Sequence, residues 1–179
     1  MKILISGGSA SGKSEFAENL AVSLSEPENS NLIYIATMKP YGDEAKERIQ
    51  KHQLQRKTKG FATIECYNEL EKIVVMKDSI VLLECLSNLM ANELFTEDRG
   101  EDINENGYDL VVRGIASIEK QTKHLIIVSN DIFSDGIKYD KDTMRYQKKL
   151  GRINRELASK FDEVIEVSNG IPIYHKQKA

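Results

Sequence analysis

Cysteine is scarce in this sequence, and its scarcity excludes one class of small protein. Only Cys66 and Cys85 occur among the 179 residues, and they do not form a C-x-x-C pair. Two cysteines are too few for a scaffold held together by disulfides. Cys85 lies within an apolar run, which predicts a small hydrophobic side chain buried in the core.

The sequence also lacks a surplus of positive charge. It has 25 Lys and Arg residues against 28 Asp and Glu residues, which gives a formal net charge of −3. Proteins that bind the phosphate backbone of DNA or RNA need a positive surplus. No nucleic-acid partner is therefore expected.

Long hydrophobic runs, internal repeats and low-complexity tracts are absent as well. No run approaches the roughly 20 apolar residues that span a bilayer. The N-terminal residues MKILISGG predict a strand and not a signal peptide. We expect a cytoplasmic protein that has no membrane partner. Because 40% of the residues are hydrophobic and no stretch has the composition of a linker, we expect one domain over residues 1–179.

Short apolar runs alternate with longer amphipathic stretches along the chain. Such nearly continuous runs are typical of strands covered on both faces in a parallel sheet. The predicted strands are Lys2–Ser6, Leu32–Thr37, Ser79–Cys85, Leu125–Asn130 and Glu163–Ser168. Asn169 and Gly170 then give a strong hairpin signal before Ile171–Tyr174. The pattern predicts an α/β fold with a mostly parallel sheet, helices on both faces and a C-terminal antiparallel hairpin.

The stretches between the strands have the periodicity of helices. In the first stretch, Phe16, Leu20 and Leu24 are spaced four apart and predict one apolar stripe, with Ala17 and Ala21 beside it. Further helices are predicted over Asp43–Lys57, Tyr108–Thr122 and Asp142–Phe161. The helix over 43–57 has few apolar residues and is expected to be exposed. The acidic segment Thr96–Gly107 predicts a surface loop.

A glycine-rich motif follows the first strand directly and precedes the first helix. Its residues are Gly7, Gly8, Ser9, Ala10, Ser11, Gly12, Lys13 and Ser14, which match G-x-x-x-x-G-K-S/T in its required setting. Such a loop points backbone N–H groups at a phosphate, and the helix N-terminus adds partial positive charge. We expect Lys13 to contact the β- and γ-phosphates of a nucleoside triphosphate and the Ser14 hydroxyl to bind Mg²⁺. The alternative is a chance glycine-rich turn.

A phosphate loop of this type needs a second carboxylate for the metal, at the end of a neighbouring strand. Glu84 directly follows the apolar residues Ile80–Leu83, so it is the predicted second ligand for Mg²⁺. The alternative is a strand-end carboxylate that caps the next helix. The loop and Glu84 together predict nucleotide chemistry, but they do not identify the acceptor.

Arg48, His52 and Arg56 are spaced four residues apart and form one stripe on the predicted second helix. Two arginines beside an imidazole disfavour its protonation, so the pKa of His52 should be lowered. A neutral imidazole is a competent nucleophile toward phosphorus, and arginines stabilise phosphate charge. The alternative is a solvated basic face with an incidental histidine, which composition and spacing alone favour.

Several short motifs along the chain, taken together, resemble one known family. They are Gly7–Ser14, Tyr34-Ile35-Ala36-Thr37, Arg48-Ile49-x-x-His52-x-x-x-Arg56, Leu83-Glu84-Cys85-Leu86, Val128-Ser129-Asn130, Gly151-Arg152-Ile153-Asn154 and Gly170. Their order and spacing resemble the bifunctional adenosylcobinamide kinase / adenosylcobinamide-phosphate guanylyltransferase family of cobalamin biosynthesis. The resemblance extends over nearly the whole chain.

The resemblance implies a RecA-like P-loop fold, a homotrimer and two reactions on a corrinoid substrate. The first phosphorylates the aminopropanol hydroxyl of adenosylcobinamide with ATP or GTP as the donor. The second transfers GMP from GTP to that phosphate through a covalent histidine intermediate. The family histidine corresponds to His52, with Lys13, Arg48 and Arg56 as the other candidate catalytic residues. Glu84 or Asp131 is expected to orient the acceptor hydroxyl in the kinase reaction.

The sequence departs from the family pattern between residues 131 and 148. Family members usually carry Glu-Val-Gly after the Val-Ser/Thr-Asn strand, whereas this chain has Asp131-Ile132-Phe133. Gln147 and Lys148 stand where an Arg-Asp pair is usual. Two alternatives to the bifunctional enzyme are therefore a single-activity small-molecule kinase and a nucleotide-dependent binding module, the second of which is weakened by the acidic net charge.

Overall fold

A computed structural model describes residues 1–95, 104–132 and 139–178 of the chain. Within these ranges, the side chains of Glu28, Glu44, Ala45, Arg48, Lys51, His52 and Gln55 are outside the description. The segment 96–103, which forms most of the predicted acidic loop, also lies outside the described residues. Asn104, which that prediction included, is buried, and its N–H donates to the Leu94 carbonyl.

Strands and helices alternate along the chain, as the sequence predicts. The strands are β1 (Lys2–Gly7), β2 (Leu32–Ala36), β3 (Ala62–Glu65), β4 (Ile80–Glu84), β5 (His124–Asn130), β6 (Glu163–Ser168) and β7 (Ile171–Lys176). The α-helices are α1 (Lys13–Ser25), α2 (Gly42–Arg56), α3 (Leu86–Leu94), α4 (Gly107–Gln121) and α5 (Lys141–Lys160), with short 3-10 turns at Glu26–Glu28 and Leu70–Lys72. Among the described residues, no helix has both the length and the apolar character needed to cross a bilayer.

The strands of the described residues form one sheet in the order β3-β2-β4-β5-β1-β6-β7. Every neighbouring pair from β3 to β6 is parallel, whereas β6 and β7 are antiparallel. The predicted parallel sheet and C-terminal hairpin are therefore confirmed. The order places the carboxyl end of β1 beside the ends of β5 and β6, and it places β4 one strand farther away.

Helices cover both faces of this sheet, and each face has its own apolar core. On one face, Ala17 and Ala21 of α1 pack against sheet residues that include Tyr34 and Leu82. On the other face, α3, α4 and α5 pack against the sheet. The predicted apolar stripe on α1 is confirmed, since Phe16, Leu20 and Leu24 are partly buried and pack against this core. The most deeply buried residues of the helix are Ala17 and Ala21 beside them. The small side chains of Ala17 and Ala21 let the helix approach the sheet closely.

Two elements were missing from the sequence prediction. Helix α3 follows β4 after a single residue, so its apolar side chains merge with the strand's apolar run and hide the change of period. Strand β3 has four residues, and Ile64 is the one whose side chain is partly buried and packs on the core. A short strand at the edge of a sheet carries too little hydrophobic pattern to be recognised.

Gly114 of α4 lies against the 3-10 turn at Leu70–Lys72, and this contact gives a test of the packing. A Cβ at Gly114 would lie 2.7 Å from the Leu70 Cβ and 3.2 Å from the Glu71 backbone nitrogen. Helix propensity favours Ala over Gly by about 1 kcal/mol, but overpacking of a core costs about 1–3 kcal/mol. We expect Gly114→Ala to lower the free energy of unfolding by up to about 2 kcal/mol, measured by urea denaturation.

The double variant Gly114→Ala/Leu70→Gly is the control for this prediction. Glycine at position 70 removes both the Cβ and the Cγ that a Cβ at Gly114 would meet, so the double variant should lose less stability than the sum of the two single losses. Strictly additive losses, or a stabilised Gly114→Ala protein, would contradict the packing argument.

Candidate nucleotide-binding site

The Gly7–Ser14 loop connects the end of β1 to the start of α1, as its sequence predicts. Gly12 precedes α1 with a φ of 88°, a left-handed conformation that favours glycine. This turn directs the loop into the N-terminus of α1, where backbone N–H groups have no partners within the helix. The loop therefore has the backbone arrangement of an anion-binding site.

The turn between β6 and β7 packs directly against this loop. The N–H of Gly170 donates to the Ser11 carbonyl at 2.8 Å. A Cβ at Gly12 would lie 3.3 Å from the Gly170 Cα, and a Cβ at Gly7 would lie 2.5 Å from the Val167 carbonyl oxygen. The glycines of the motif thus permit close contact with the hairpin as well as wrapping of a phosphate.

Lys13 is buried at the start of α1, with 7% of its surface exposed. Its Nζ lies back over the loop and donates to the Gly8 carbonyl at 2.8 Å. A charged amine is therefore held at the centre of the loop, where the β- and γ-phosphates of a nucleotide are expected.

Ser14 and Glu84 are brought together from positions 70 residues apart. The Ser14 hydroxyl donates to Oε1 of Glu84. The other carboxylate oxygen of Glu84 is buried and has no hydrogen-bond partner among the described residues. A hydroxyl beside a carboxylate with a spare oxygen is a donor set that suits a hard cation such as Mg²⁺. The residue that caps α3 is Cys85, and α3 has no side-chain cap, so the alternative role of Glu84 as a helix cap is wrong.

Buried polar groups surround Glu84 at this edge of the sheet. Burial raises the pKa of the Tyr34 hydroxyl, and the negative charge of Glu84 raises it further. The Thr37 hydroxyl donates to the Cys85 carbonyl and accepts from the Cys85 N–H. Burial also raises the pKa of the Cys85 thiol, which keeps it protonated. Cys85 is therefore buried, as the sequence predicts, and its protonated thiol is a poor nucleophile.

Arg56, at the end of α2, is placed differently from its predicted position on an exposed face. Its exposed fraction is 6%, and its guanidinium carbon lies 3.5 Å from the centroid of the Tyr34 ring. Such stacking of a cation on an aromatic face is favourable when both groups are removed from water. The charges of both Arg56 and Glu84 affect the pKa of the Tyr34 hydroxyl. Arg56 and Glu84 therefore lie near the same buried tyrosine. The prediction of an exposed basic stripe is wrong for this residue.

The other two members of the predicted stripe are placed by their backbone alone. Arg48 and His52 belong to α2, and their side chains lie outside the described part of the structure. His52 precedes Arg56 by four residues, which is about 6 Å along a helix axis. The backbone at His52 is thus one turn before the backbone of the buried Arg56.

Glu18 and Lys59 also border this region, and sequence reasoning missed both. Glu18 is almost completely buried and accepts a hydrogen bond from Lys59 at 2.8 Å. The available signal was the spacing of Ser14 and Glu18, which are four apart on α1 and so share a face. A glutamate on a surface helix is usually solvated, which is why this spacing attracts little notice.

Comparisons with known proteins find similarity over nearly the whole chain. The family model described as cobinamide kinase / cobinamide phosphate guanyltransferase matches residues 3–174. The chain is 28% identical to the bifunctional adenosylcobalamin biosynthesis protein CobU of Escherichia coli strain K12. It is 29% identical to the protein of the same name from Salmonella typhimurium. Each alignment covers 97% of this chain and 98% of the relative.

Among solved structures, the ATPase domain of G40P superposes with a TM-score of 0.50. The superposition covers 92% of this chain and 68% of that one, at 12% sequence identity. At this identity the likeness concerns the fold alone, and it confirms the predicted RecA-like α/β architecture.

Proposed function

Because the chain belongs to the cobinamide kinase / cobinamide phosphate guanyltransferase family, we propose that both family reactions take place at the Gly7–Ser14 loop and that guanylyl transfer passes through His52. By family, the protein is a kinase and guanylyltransferase of cobalamin biosynthesis. Its substrates are a nucleoside triphosphate and cobinamide or its phosphate. The observation that supports the proposed site most directly is the meeting of Lys13, Ser14 and Glu84 at one edge of the sheet.

The triphosphate binds along the loop, held by the backbone N–H groups of residues 7–12 and by the Lys13 amine. Ser14 and the spare oxygen of Glu84 hold Mg²⁺, which neutralises phosphate charge when it is bound. In the kinase reaction the cobinamide hydroxyl attacks the γ-phosphorus of ATP or GTP. Glu84 or Asp131 orients that hydroxyl, since both border the loop and the Asp131 N–H donates to the Gly7 carbonyl at 3.0 Å.

In guanylyl transfer, a neutral imidazole nitrogen of His52 attacks the α-phosphorus of GTP. A nitrogen–phosphorus bond forms as the bond from the α-phosphorus to the bridging oxygen breaks, and pyrophosphate leaves with the bonding electrons. A phosphate oxygen of cobinamide phosphate then attacks the same phosphorus and displaces His52. Arg48 and Arg56 stabilise phosphate charge during these steps. The burial of Arg56 beside Tyr34 supports a role at the site for that end of α2.

The proposal includes assembly of the chain with further copies of itself, as a homotrimer. Apolar side chains at the sheet edge support a subunit contact there, because Ile171, Ile173 and Tyr174 of β7 are exposed. Exposed apolar side chains grouped on one strand are typical of an interface.

Labelled GTP tests the covalent step directly. We expect protein incubated with Mg²⁺ and GTP labelled at the α-phosphate to retain label after denaturation, and the label to be labile to acid and stable to base. GTP labelled at the γ-phosphate should leave the protein unlabelled. Addition of cobinamide phosphate should discharge the label into the product. Phosphorylation of cobinamide without any protein label would favour a single-activity kinase instead.

A further inference from the structure

Glu18 is a buried carboxylate that the mechanism above does not use. It lies on α1, one turn after Ser14, with 1% of its side chain exposed. Its Oε2 accepts a hydrogen bond from Nζ of Lys59, whose side chain is 21% exposed. Lys59 follows the end of α2 by three residues. The ion pair therefore joins the helix that carries the phosphate-loop serine to the end of the helix that carries His52.

Burial of this pair is better explained by a requirement for position than by stability. Burial raises the pKa of Glu18, and the hydrogen bond and charge of Lys59 oppose that rise. Removing two charges from water costs about as much as their attraction returns, so a buried ion pair adds little net stability. Such a pair does fix the relative position of the two segments that carry it, here α1 and the end of α2.

A second contact fixes the same end of α2. Arg56 stacks on Tyr34 of β2, and the Lys59 N–H donates to the Arg56 carbonyl at 2.9 Å. Arg56 and Lys59, whose side chains make the two contacts, are thus linked by a backbone hydrogen bond in a single turn. Glu18 Oε1 and Arg56 Nε are both buried and have no hydrogen-bond partner among the described residues. The end of α2 is held on the α1 face of the sheet, beside the loop.

Helix geometry relates the Glu18–Lys59 ion pair to Ser14 on α1 and to His52 on α2. Glu18 is four residues from Ser14 on α1, and Arg56 is four residues from His52 on α2, which is about 6 Å in each helix. We propose that the ion pair between Glu18 and Lys59 positions the α2 end so that His52 meets the α-phosphate of GTP held in the loop. This inference rests on the role proposed for His52 above. It makes Glu18 and Lys59 positioning residues for guanylyl transfer.

The experiment compares three variants with the wild-type protein. The double variant Glu18→Gln/Lys59→Met removes the ion pair without leaving a buried charge unpaired, and Lys59→Met removes one partner. Lys59→Arg keeps the pair, since Lys59 is partly exposed and its surroundings leave room for a guanidinium. Single-turnover guanylylation of the protein is measured with α-labelled GTP. The kcat and KM of cobinamide phosphorylation and the melting temperature are measured on the same samples.

We expect the double variant to melt within about 4 °C of the wild-type protein and its guanylylation rate to fall about tenfold or more, because small displacements of a reacting group are costly. The kinase kcat/KM should fall much less, since the γ-phosphate does not meet His52. Lys59→Arg should recover at least half of the guanylylation rate.

Three results overturn the inference. An unchanged guanylylation rate in the double variant would show that the pair positions nothing. Equal losses of guanylylation, kinase activity and melting temperature would show a merely structural role. A wild-type protein that forms no adduct overturns the role of His52 and this inference with it, whereas a labelled wild-type protein with an equally labelled variant overturns this inference alone.

Discussion

Replacement of His52 by alanine should abolish guanylyl transfer and leave cobinamide phosphorylation in place. The imidazole is the proposed nucleophile, so its loss removes the covalent route. We expect guanylyl transfer to fall by about 10⁴-fold or more, since removal of a nucleophile has effects of this order. The kinase kcat should change by less than about threefold, because the cobinamide hydroxyl attacks the γ-phosphorus without this side chain. Product analysis from labelled GTP measures both rates in one assay.

The control for this prediction is Gln53→Ala, which changes the exposed neighbour on the same helix. It should retain both activities and the protein label. The prediction is wrong if His52→Ala keeps the α-label, or if both activities fall together in it. A parallel loss would mean that α2 as a whole, and not the imidazole, is required.

Replacement of Lys13 by methionine should have a large effect on both reactions. Methionine keeps most of the unbranched side chain but removes the amine that donates to the Gly8 carbonyl. Both reactions displace groups on the same triphosphate, so both should lose about 10³-fold in kcat/KM. The affinity for nucleotide, measured by calorimetry, should fall as well. The product analysis used for His52→Ala measures both rates.

Lys57→Met is the matched control, since Lys57 is exposed at the end of α2. It loses one positive charge of the protein without touching the loop, and it should keep both activities. Should Lys13→Met lose guanylyl transfer alone, the two reactions would not share one triphosphate site. Should it unfold, the thermal melt would reveal this before any assay.

The phosphate loop, the parallel strands and the strand-end position of Glu84 could be predicted, because a short stretch of sequence determines each of them. The phosphate loop is contiguous, so its spacing of glycines, Lys13 and Ser14 is sufficient to place it between β1 and α1. The parallel strands have continuous apolar runs because both of their faces are buried. The strand-end position of Glu84 follows from the same pattern, and the structure brings it to Ser14.

The parts that depend on contacts between distant segments could not be predicted in this way. The burial of Arg56 depends on the ring of Tyr34, which lies on another element. The partner of Glu18 is 41 residues away, so its burial has no local signal. His52 is one histidine on a charged helix, and its proposed role came from the family resemblance. Its spacing from the two arginines alone favoured a solvated basic face in which the histidine has no catalytic role.

The place of β1 in the sheet has a consequence for synthesis on the ribosome. This first strand lies between β5 and β6, and Gly170 of the final hairpin donates to the loop that follows it. The loop is translated well before these neighbours. A nascent chain must therefore keep β1 without its native partners until β5 and β6 have been translated. ATP or GTP can stabilise the maturing protein only after the segment up to Gly170 has emerged, and not as an early template for folding.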